Sequence, residues 1–445
     1  MENTTENSNR PTRRNFVEQA SALVGLGAAV QSTALSYSRI IGANDRISVG
    51  HIGIGNRGSE LAGMAARLKD KYNFELTAVC DLWSVNRDRA ADRGEKNYGR
   101  RPRTFQYMEK MLELPDVDAV FISTADFQHS PHLKMALEAG KDVYCEKPMA
   151  TDLADAKAAR DAFLKTDRIV QIGSQHRSEA YSRETKKVID SGALGEITKI
   201  EIVWNFHGPR WRGRPEVKQI REQDTDWNRW LLNKQPRPFD PRAYFEFRLY
   251  RDFSAGIASQ WMVHALDLMN YFHEDKFPHS VVAHGGVYAW PDGRENPDTF
   301  HALLEHPKGF LLSYSTSFGN DCDSFSRIMG KKATLINEGG EGSPRWLLVE
   351  EVGNHESNPY IKRPQRYVTL PGSDKPGPTF IGDEDLSHQE NWFSCLRSRQ
   401  QPNTTVHDGL ASAVGVIMAA QAQREGKKLY WNPKTEEIMD HPAKA

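Results

Sequence analysis

Eight residues constrain this chain more than any others: His51-Ile52-Gly53-Ile54-Gly55-Asn56-Arg57-Gly58, with three glycines between an apolar run and a helical one. A Gly-X-Gly-X-X-Gly turn lets the backbone reverse tightly where a Cβ would obstruct it, which is the entry into a parallel βαβ unit. Downstream, β-rich runs alternate with helical periods, which predicts strands over residues 47–53, 75–81, 118–123, 142–145 and 169–173. Helices such as 59–69 and 131–139 lie between them, the latter opened by Pro131 and closed by Gly140. The expected fold class is therefore α/β, beginning with a Rossmann-type doubly wound parallel sheet.

After about residue 173 the texture changes to longer alternating runs, 197–206, 279–290, 299–305 and 310–317, with few helices between them. Consecutive strands of this kind predict an α+β domain built on a large, mainly antiparallel open sheet. A chain of 445 residues also exceeds what one hydrophobic core usually serves. The expected division is 1–43, a leader and flexible segment; 44–173, the Rossmann domain; and 174–445, the second domain, whose C-terminal segment can pack back on the first. Residues 354–378 read as a long surface excursion.

Composition excludes several classes. With 58 basic residues against 59 acidic ones, no net field attracts a polyanion, so nucleic acid is not an expected partner. Cys80, Cys145, Cys322 and Cys395 form no Cys-X-X-Cys pair, so neither a structural zinc nor any other metal is expected. Thr12-Arg13-Arg14-Asn15-Phe16 precedes a mild apolar run, residues 20–35, and resembles a twin-arginine export signal. No later stretch is apolar for 18 residues, so no membrane span is expected after export.

The glycine turn gains meaning from Asp81, which ends the next strand roughly 20 residues on, where a carboxylate can bind ribose hydroxyls. The glycines let a pyrophosphate approach the positive end of a helix, and together these features predict a bound dinucleotide at Gly53, Gly55, Asn56, Arg57, Gly58 and Asp81. A carboxylate at that point repels a 2′-phosphate and favours NAD, while Arg87 and Arg89 nearby leave NADP open. Cys145-Glu146-Lys147-Pro148 follows a strand at the carboxyl edge of the sheet, the edge where ligands bind. From spacing alone Glu146-Lys147 is equally an ordinary surface ion pair.

Three further segments carry a family resemblance: Thr124-Ala125-Asp126-Phe127-Gln128-His129, Ala136-Leu137-Glu138-Ala139-Gly140-Lys141 and Cys145-Glu146-Lys147-Pro148-Met149-Ala150. They resemble the Gfo/Idh/MocA oxidoreductases, as do Gln171-Ile172-Gly173-Ser174-Gln175, Asp226-Trp227-Asn228-Arg229-Trp230-Leu231, His264-Ala265-Leu266-Asp267 and His388-Gln389-Glu390-Asn391-Trp392-Phe393. The resemblance implies an NAD(P)-dependent enzyme acting on CH–OH groups of a sugar, cyclitol or related polyol, with Lys147 and His264 as the catalytic pair over the nicotinamide. It also implies that Ser123, Thr124, His129, Glu146 and Gln175 line the cofactor pocket, and that the second-domain sheet joins a homodimer or homotetramer. The family pattern has an aspartate four residues before the histidine, where this chain has Gln260, and glutamine can position a hydroxyl but cannot take its proton. That leaves His264, Lys147 or a group not identified by sequence as the proton acceptor. On reference pKa values of about 6.5 for histidine and about 10.4 for lysine, His264 suits the base and Lys147 suits orientation of the oxygen.

Substrate contacts are expected from an aromatic and basic stretch containing Trp204, His207, Trp211, Trp227, Arg229, Trp230, Arg248 and Tyr250, with Gln260 and Asp267 beside the catalytic histidine. Each of these tryptophans could instead be a core anchor. Export through the twin-arginine route would place the protein in the periplasm or outside the cell, away from a free NAD pool, which implies a tightly held cofactor reoxidised within each cycle. Two redox-closed schemes fit: transfer to a second carbonyl substrate, or a transient keto-sugar that permits elimination of a glycosidic group. A non-catalytic dinucleotide- or sugar-binding protein is the reading from another class, motivated by Gln260.

Overall fold

The structure, a computed structural model, describes residues 45–337, 346–351, 365–367 and 384–443. The twin-arginine segment and most of the 354–378 excursion lie outside these residues.

The first sheet has six parallel strands: β1 (Ile47–Ile52), β2 (Phe74–Cys80), β3 (Arg103–Phe105), β4 (Ala119–Ile122), β5 (Asp142–Cys145) and β6 (Val170–Ile172), in the spatial order β3-β2-β1-β4-β5-β6. Every residue of β4 and β5 is buried, as expected for central strands covered on both faces, so β4 reads as a continuous apolar run without alternation and β5 as one after Asp142. Helices α1 (Asn56–Arg67), α2 (Ser84–Tyr98), α3 (His129–Glu138) and α4 (Leu153–Phe163) make the crossovers. The expected strands are present, some a residue or two shorter than predicted. Strand β3 was not foreseen, because three half-exposed residues at a sheet edge leave no periodic signal.

The second sheet has ten strands. In chain order the remaining strands are β7 (Ile197–Val203), β8 (Phe206–His207), β9 (Ser280–Gly286), β10 (Thr299–Glu305), β11 (Leu311–Ser317), β12 (Gly319–Asn320), β13 (Phe325–Gly330), β14 (Ala333–Asn337), β15 (Trp346–Glu350), β16 (Gln365–Tyr367), β17 (Leu429–Asn432) and β18 (Glu437–Met439). Apart from the separate β8–β12 pair, they are ordered β16-β15-β14-β13-β7-β11-β10-β9-β17-β18. All neighbours are antiparallel except β7 and β11. Strand β10 alternates buried and exposed residues along its length, the mark of a sheet with one covered face and one outward face. No described helix is long and apolar enough to cross a membrane.

Three late helices tie the halves together. Helix α5 (Val263–His273) continues a π-wound turn over Ala258–Met262, so Gln260 and His264 stand on a single buried helical segment. Helix α6 (Glu384–Ser398) returns to the first sheet, where Phe393 stacks on Phe74 at 4.1 Å and Trp392 meets Phe121 at 4.7 Å. Helix α7 (Val406–Glu425) is capped by Thr405, whose side chain accepts from the Asp408 backbone N–H, and it packs against β6, β9 and α5. Nearly all of its residues up to Ala422 are buried, the condition of a helix enclosed on every side.

Candidate functional site

The glycine turn is built as its sequence implies, each glycine for a different reason. Gly53 has φ +78°, and a Cβ there would lie 2.5 Å from the Thr124 Cγ2 and 2.8 Å from its backbone. A Cβ on Gly58 would meet the Gly53 carbonyl oxygen at 2.4 Å and the Ser123 Oγ at 2.6 Å, so this glycine serves the close approach of α1 to the sheet. Gly55 differs from both, because a Cβ there meets nothing within 4 Å. No protein atom needs Gly55 to be bare. Its open face borders the cavity at the N-terminus of α1, where a pyrophosphate would need close backbone approach.

That cavity, about 710 Å³, lies along the carboxyl edge of the first sheet and is closed on its other side by residues 204–264. At one end Asp81 is buried, accepting from the Ile54 N–H at 2.8 Å, the Trp83 N–H at 3.0 Å and the Asn86 side chain at 3.2 Å. Burial raises its pKa, and these hydrogen bonds oppose the rise. Arg87 donates to the backbone carbonyls of Asp81 and Leu82, and Arg89 lies over Trp83. The carboxylate that disfavours a 2′-phosphate therefore lines the cavity, and both arginines that left NADP open have other engagements.

At the other end, Lys147 donates from Nζ to the Gln260 backbone oxygen at 3.1 Å and to its Oε1 at 3.3 Å. Gln260 in turn donates through Nε2 to Asp126 Oδ2 at 2.6 Å, and its Oε1 also accepts from Arg248 Nε at 2.8 Å. Asp126 is buried and accepts further from Ser254 at 2.7 Å and Ser259 at 3.1 Å. Burial lowers the Lys147 pKa to about 8, against the opposing charges of Glu146 and Asp126. His264 is buried, its Nδ1 has no hydrogen-bond partner, and its ring packs edge-on to His176 at 4.8 Å. Burial first, then the Lys147 charge, holds its pKa well below the usual histidine value. Glu146, also buried, bridges to Arg57 Nε at 2.9 Å.

Of the residues anticipated for the cofactor, Gly53, Gly55, Asn56, Arg57, Asp81, Ser123, Thr124, His129, Glu146, Lys147 and Gln175 all line this one cavity, while Gly58 stands behind it. His129 touches it while bracing the wall, its ring nitrogens 2.7 Å from the Pro148 oxygen and 3.1 Å from that of Thr124. His264, Gln260 and Arg248 line the same space.

Four expected substrate contacts do not. His207, on β8, is exposed, with its ring 6.0 Å from that of Trp290 and outside the cavity lining. Asp267 is buried against Arg177, which donates to it at 2.7 Å and also pairs with Asp408 at 3.2 Å, so it locks α5 to α7. Trp227 is stacked on Trp230 at 4.9 Å with its indole N–H on the Arg237 carbonyl, a core anchor whose partner alone reaches the cavity. Tyr250 packs against the same aromatic cluster. Sequence reading missed Asp126 as a site group although it sits inside a quoted motif; only the fold shows that it backs Gln260. Arg210, Arg214 and Trp261 were missed as well, having no motif around them.

Residues 47–174 match the oxidoreductase family Gfo/Idh/MocA in its NAD-binding Rossmann fold, and residues 232–430 match its C-terminal alpha/beta domain. Inositol 2-dehydrogenase 3 of Saccharopolyspora erythraea is 34% identical over 192 residues, 42% of this chain and 54% of that protein, so the match spans about half of that relative. A glycosyl hydrolase family 109 protein of Shewanella baltica is 27% identical over 378 residues, 78% of this chain and 76% of its own. Among solved structures, levoglucosan dehydrogenase in complex with NADH superimposes with a TM-score of 0.64 at 16% identity, covering 86% of this chain and 98% of that one. At that identity the likeness is one of fold.

Proposed function

The chain belongs to the Gfo/Idh/MocA oxidoreductase family, and from that premise we propose that it oxidises a CH–OH group of a sugar, cyclitol or related polyol on a tightly held NAD. One observation carries this reading: Lys147 from the first sheet and His264 from the second half line the same cavity as the open face of Gly55. When bound, the dinucleotide supplies the hydride acceptor that such an oxidation needs. Gly53, Gly55 and Arg57 would hold its phosphates, Asp81 its adenosine ribose, and Ser123 and Thr124 the region of its second ribose.

The remaining chemistry belongs to the side chains. Reference values favour His264 as the base, but burial reverses that ranking. A second positive charge next to the Lys147 ammonium is disfavoured, so His264 stays neutral and serves to orient the substrate hydroxyl. Lys147, brought down to about 8, has an appreciable neutral fraction near neutral pH and takes the hydroxyl proton on Nζ. Gln260 fixes that amine, and Asp126 fixes Gln260 by accepting its N–H. The carboxylate that the family pattern places at position 260 thus has a counterpart in Asp126, which stands behind Gln260 and acts through its amide.

Purified protein incubated with a panel of sugars and polyols should show a change in bound-nicotinamide absorbance with at least one of them. Lys147→Ala should slow that change by about a hundredfold or more. Absorbance changes that proceed equally fast without the amine would remove Lys147 from the chemistry, and no change with any compound would favour a binding protein.

The long match to the glycosyl hydrolase family 109 protein favours a second reading, in which oxidation of the sugar is transient and a glycosidic bond is eliminated before the redox state is restored. Aglycone released without net reduced nicotinamide would decide for it. We further propose twin-arginine export, on the Arg13-Arg14 motif, and self-association through the outer face of the ten-stranded sheet. The second idea is supported by the neighbouring exposed side chains Val282 and Leu303, and light scattering of the purified protein tests it.

A further inference from the structure

The reaction end of the cavity carries more positive charge than a neutral polyol calls for. Arg210, Arg214 and Arg248 line it together with Lys147. The carboxylates that share the lining are occupied elsewhere: Glu146 and Glu60 by Arg57, Glu109 by Arg229, Asp81 by backbone N–H groups, and Asp126 by Ser254, Ser259 and Gln260. Arg212 turns to Asp292 at 3.5 Å, and Arg214 reaches Glu216 at 3.4 Å.

Arg248 is the exception. Its Nε donates to the neutral Gln260 and its guanidinium lies 4.5 Å from the Phe247 ring centre. Among the described residues no carboxylate lies within ion-pairing distance of it, and its two terminal nitrogens have no hydrogen-bond partner. A half-buried guanidinium with only neutral contacts retains its planar pair of donors for a ligand oxyanion. Burial, and then the neighbouring Arg214 and Arg210 charges, hold its pKa below the usual arginine value, against the opposing charge of Asp126. An anion placed there would relieve that repulsion. Arg248 and Lys147 share the Gln260 Oε1, at 2.8 and 3.3 Å, so one sugar ring can reach both. Trp204 and Trp261, stacked at 4.7 Å, stand on the same wall, with Trp211, as apolar surface for the ring face.

We infer that the substrate is a sugar bearing an oxyanion, a carboxylate or a sulfate or phosphate ester, which Arg248 binds with Arg210 and Arg214 beside it. This inference rests on the proposed sugar-oxidising function of the same cavity. The test titrates dinucleotide-loaded protein with glucuronate, galacturonate, glucose 6-sulfate, glucose 6-phosphate and glucose, reading tryptophan fluorescence for binding and nicotinamide absorbance for turnover.

At least one anionic sugar should bind about tenfold or more tighter than glucose, since a charge-assisted hydrogen bond is stronger than a neutral one. Arg248→Gln should abolish that preference, leaving charged sugars bound no tighter than glucose by the same variant, and Arg248→Lys should restore part of it. The ranking among carboxylate, sulfate and phosphate identifies the oxyanion. Equal affinities for charged and neutral sugars, or a preference that survives Arg248→Gln, would overturn the inference. Arg248-dependent binding with no absorbance change would instead uphold it and sink the oxidoreductase reading.

Discussion

The contrast between Gly53 and Gly55 gives a sharp test of where the dinucleotide lies. Alanine at position 53 would need a left-handed backbone, costing roughly 1–2 kcal/mol for any residue with a Cβ. It would also press on Thr124 at 2.5 to 2.8 Å, an overlap whose relief costs about 1–3 kcal/mol. Together these predict that Gly53→Ala lowers the unfolding free energy by about 2–5 kcal/mol. Alanine at position 55 meets no protein atom within 4 Å, and the backbone there, φ −71° and ψ −155°, is open to any residue. A small gain from the stiffer unfolded chain offsets a small loss at the helix cap, leaving stability within about 1 kcal/mol. The added methyl would point into the cavity, so dinucleotide affinity should fall by roughly ten- to hundredfold for a clash of about 1–3 kcal/mol. The assay is urea unfolding of the dinucleotide-stripped proteins together with NAD titration of each. If Gly55→Ala binds NAD like the parent, or is as unstable as Gly53→Ala, the ligand does not lie against this turn.

The pH dependence tests the base. With the Lys147 pKa lowered to about 8, the rate of substrate oxidation should climb with pH and level off above that value; a rate already level below the usual histidine range would return the role to His264. Asp126→Asn removes a charge that raises the Lys147 pKa and should move the rise to lower pH, whereas Arg248→Gln removes one that lowers it and should move the rise higher. For stability the sign is opposite to that of a salt-bridged lysine. Between about 8 and 10.5 the unfolded chain keeps a proton that the folded Lys147 has lost, so this residue's contribution to stability increases with pH across that window, as denaturation midpoints would show. Asp267→Ala leaves Arg177 short of a buried partner and should cost about 3–5 kcal/mol in urea unfolding, with sugar affinity of the folded protein unchanged. Lost binding at full stability would restore Asp267 to the site. Replacing Arg13 and Arg14 together by lysine should leave the protein in the cytoplasm on fractionation, and unchanged export would discard the twin-arginine reading.

Much of the fold was legible because local physics repeats. Strands β1, β2, β4 and β5 are short apolar runs closed by turn residues, and Gly53 and Asp81 stand where a dinucleotide-binding turn requires them. The ten-stranded sheet was only half legible. Strands β13 to β18 are short or lie near the sheet edges, where pairing with distant segments decides structure more than propensity does. Asp267 and Trp227 illustrate the same limit on the site. Each stands three residues from one that lines the cavity, His264 and Trp230, and so on the same helix face; one turn along the axis carries it past the cavity wall, Asp267 to Arg177 and Trp227 to the Arg237 carbonyl.

The sequence by itself determined the parallel sheet and a glycine turn suited to a dinucleotide, because glycine geometry and strand-end position act over a few residues, while the role expected of Lys147 came only from the family resemblance. Tertiary structure alone decided that both Lys147 and His264 lose protons more readily than free side chains, since burial and mutual repulsion exist only once both share a cavity. It also brought Asp126 behind Gln260 across 134 residues of chain and turned Arg248 toward the same amide. No local pattern encodes such meetings, because they depend on how two sheets and three late helices pack.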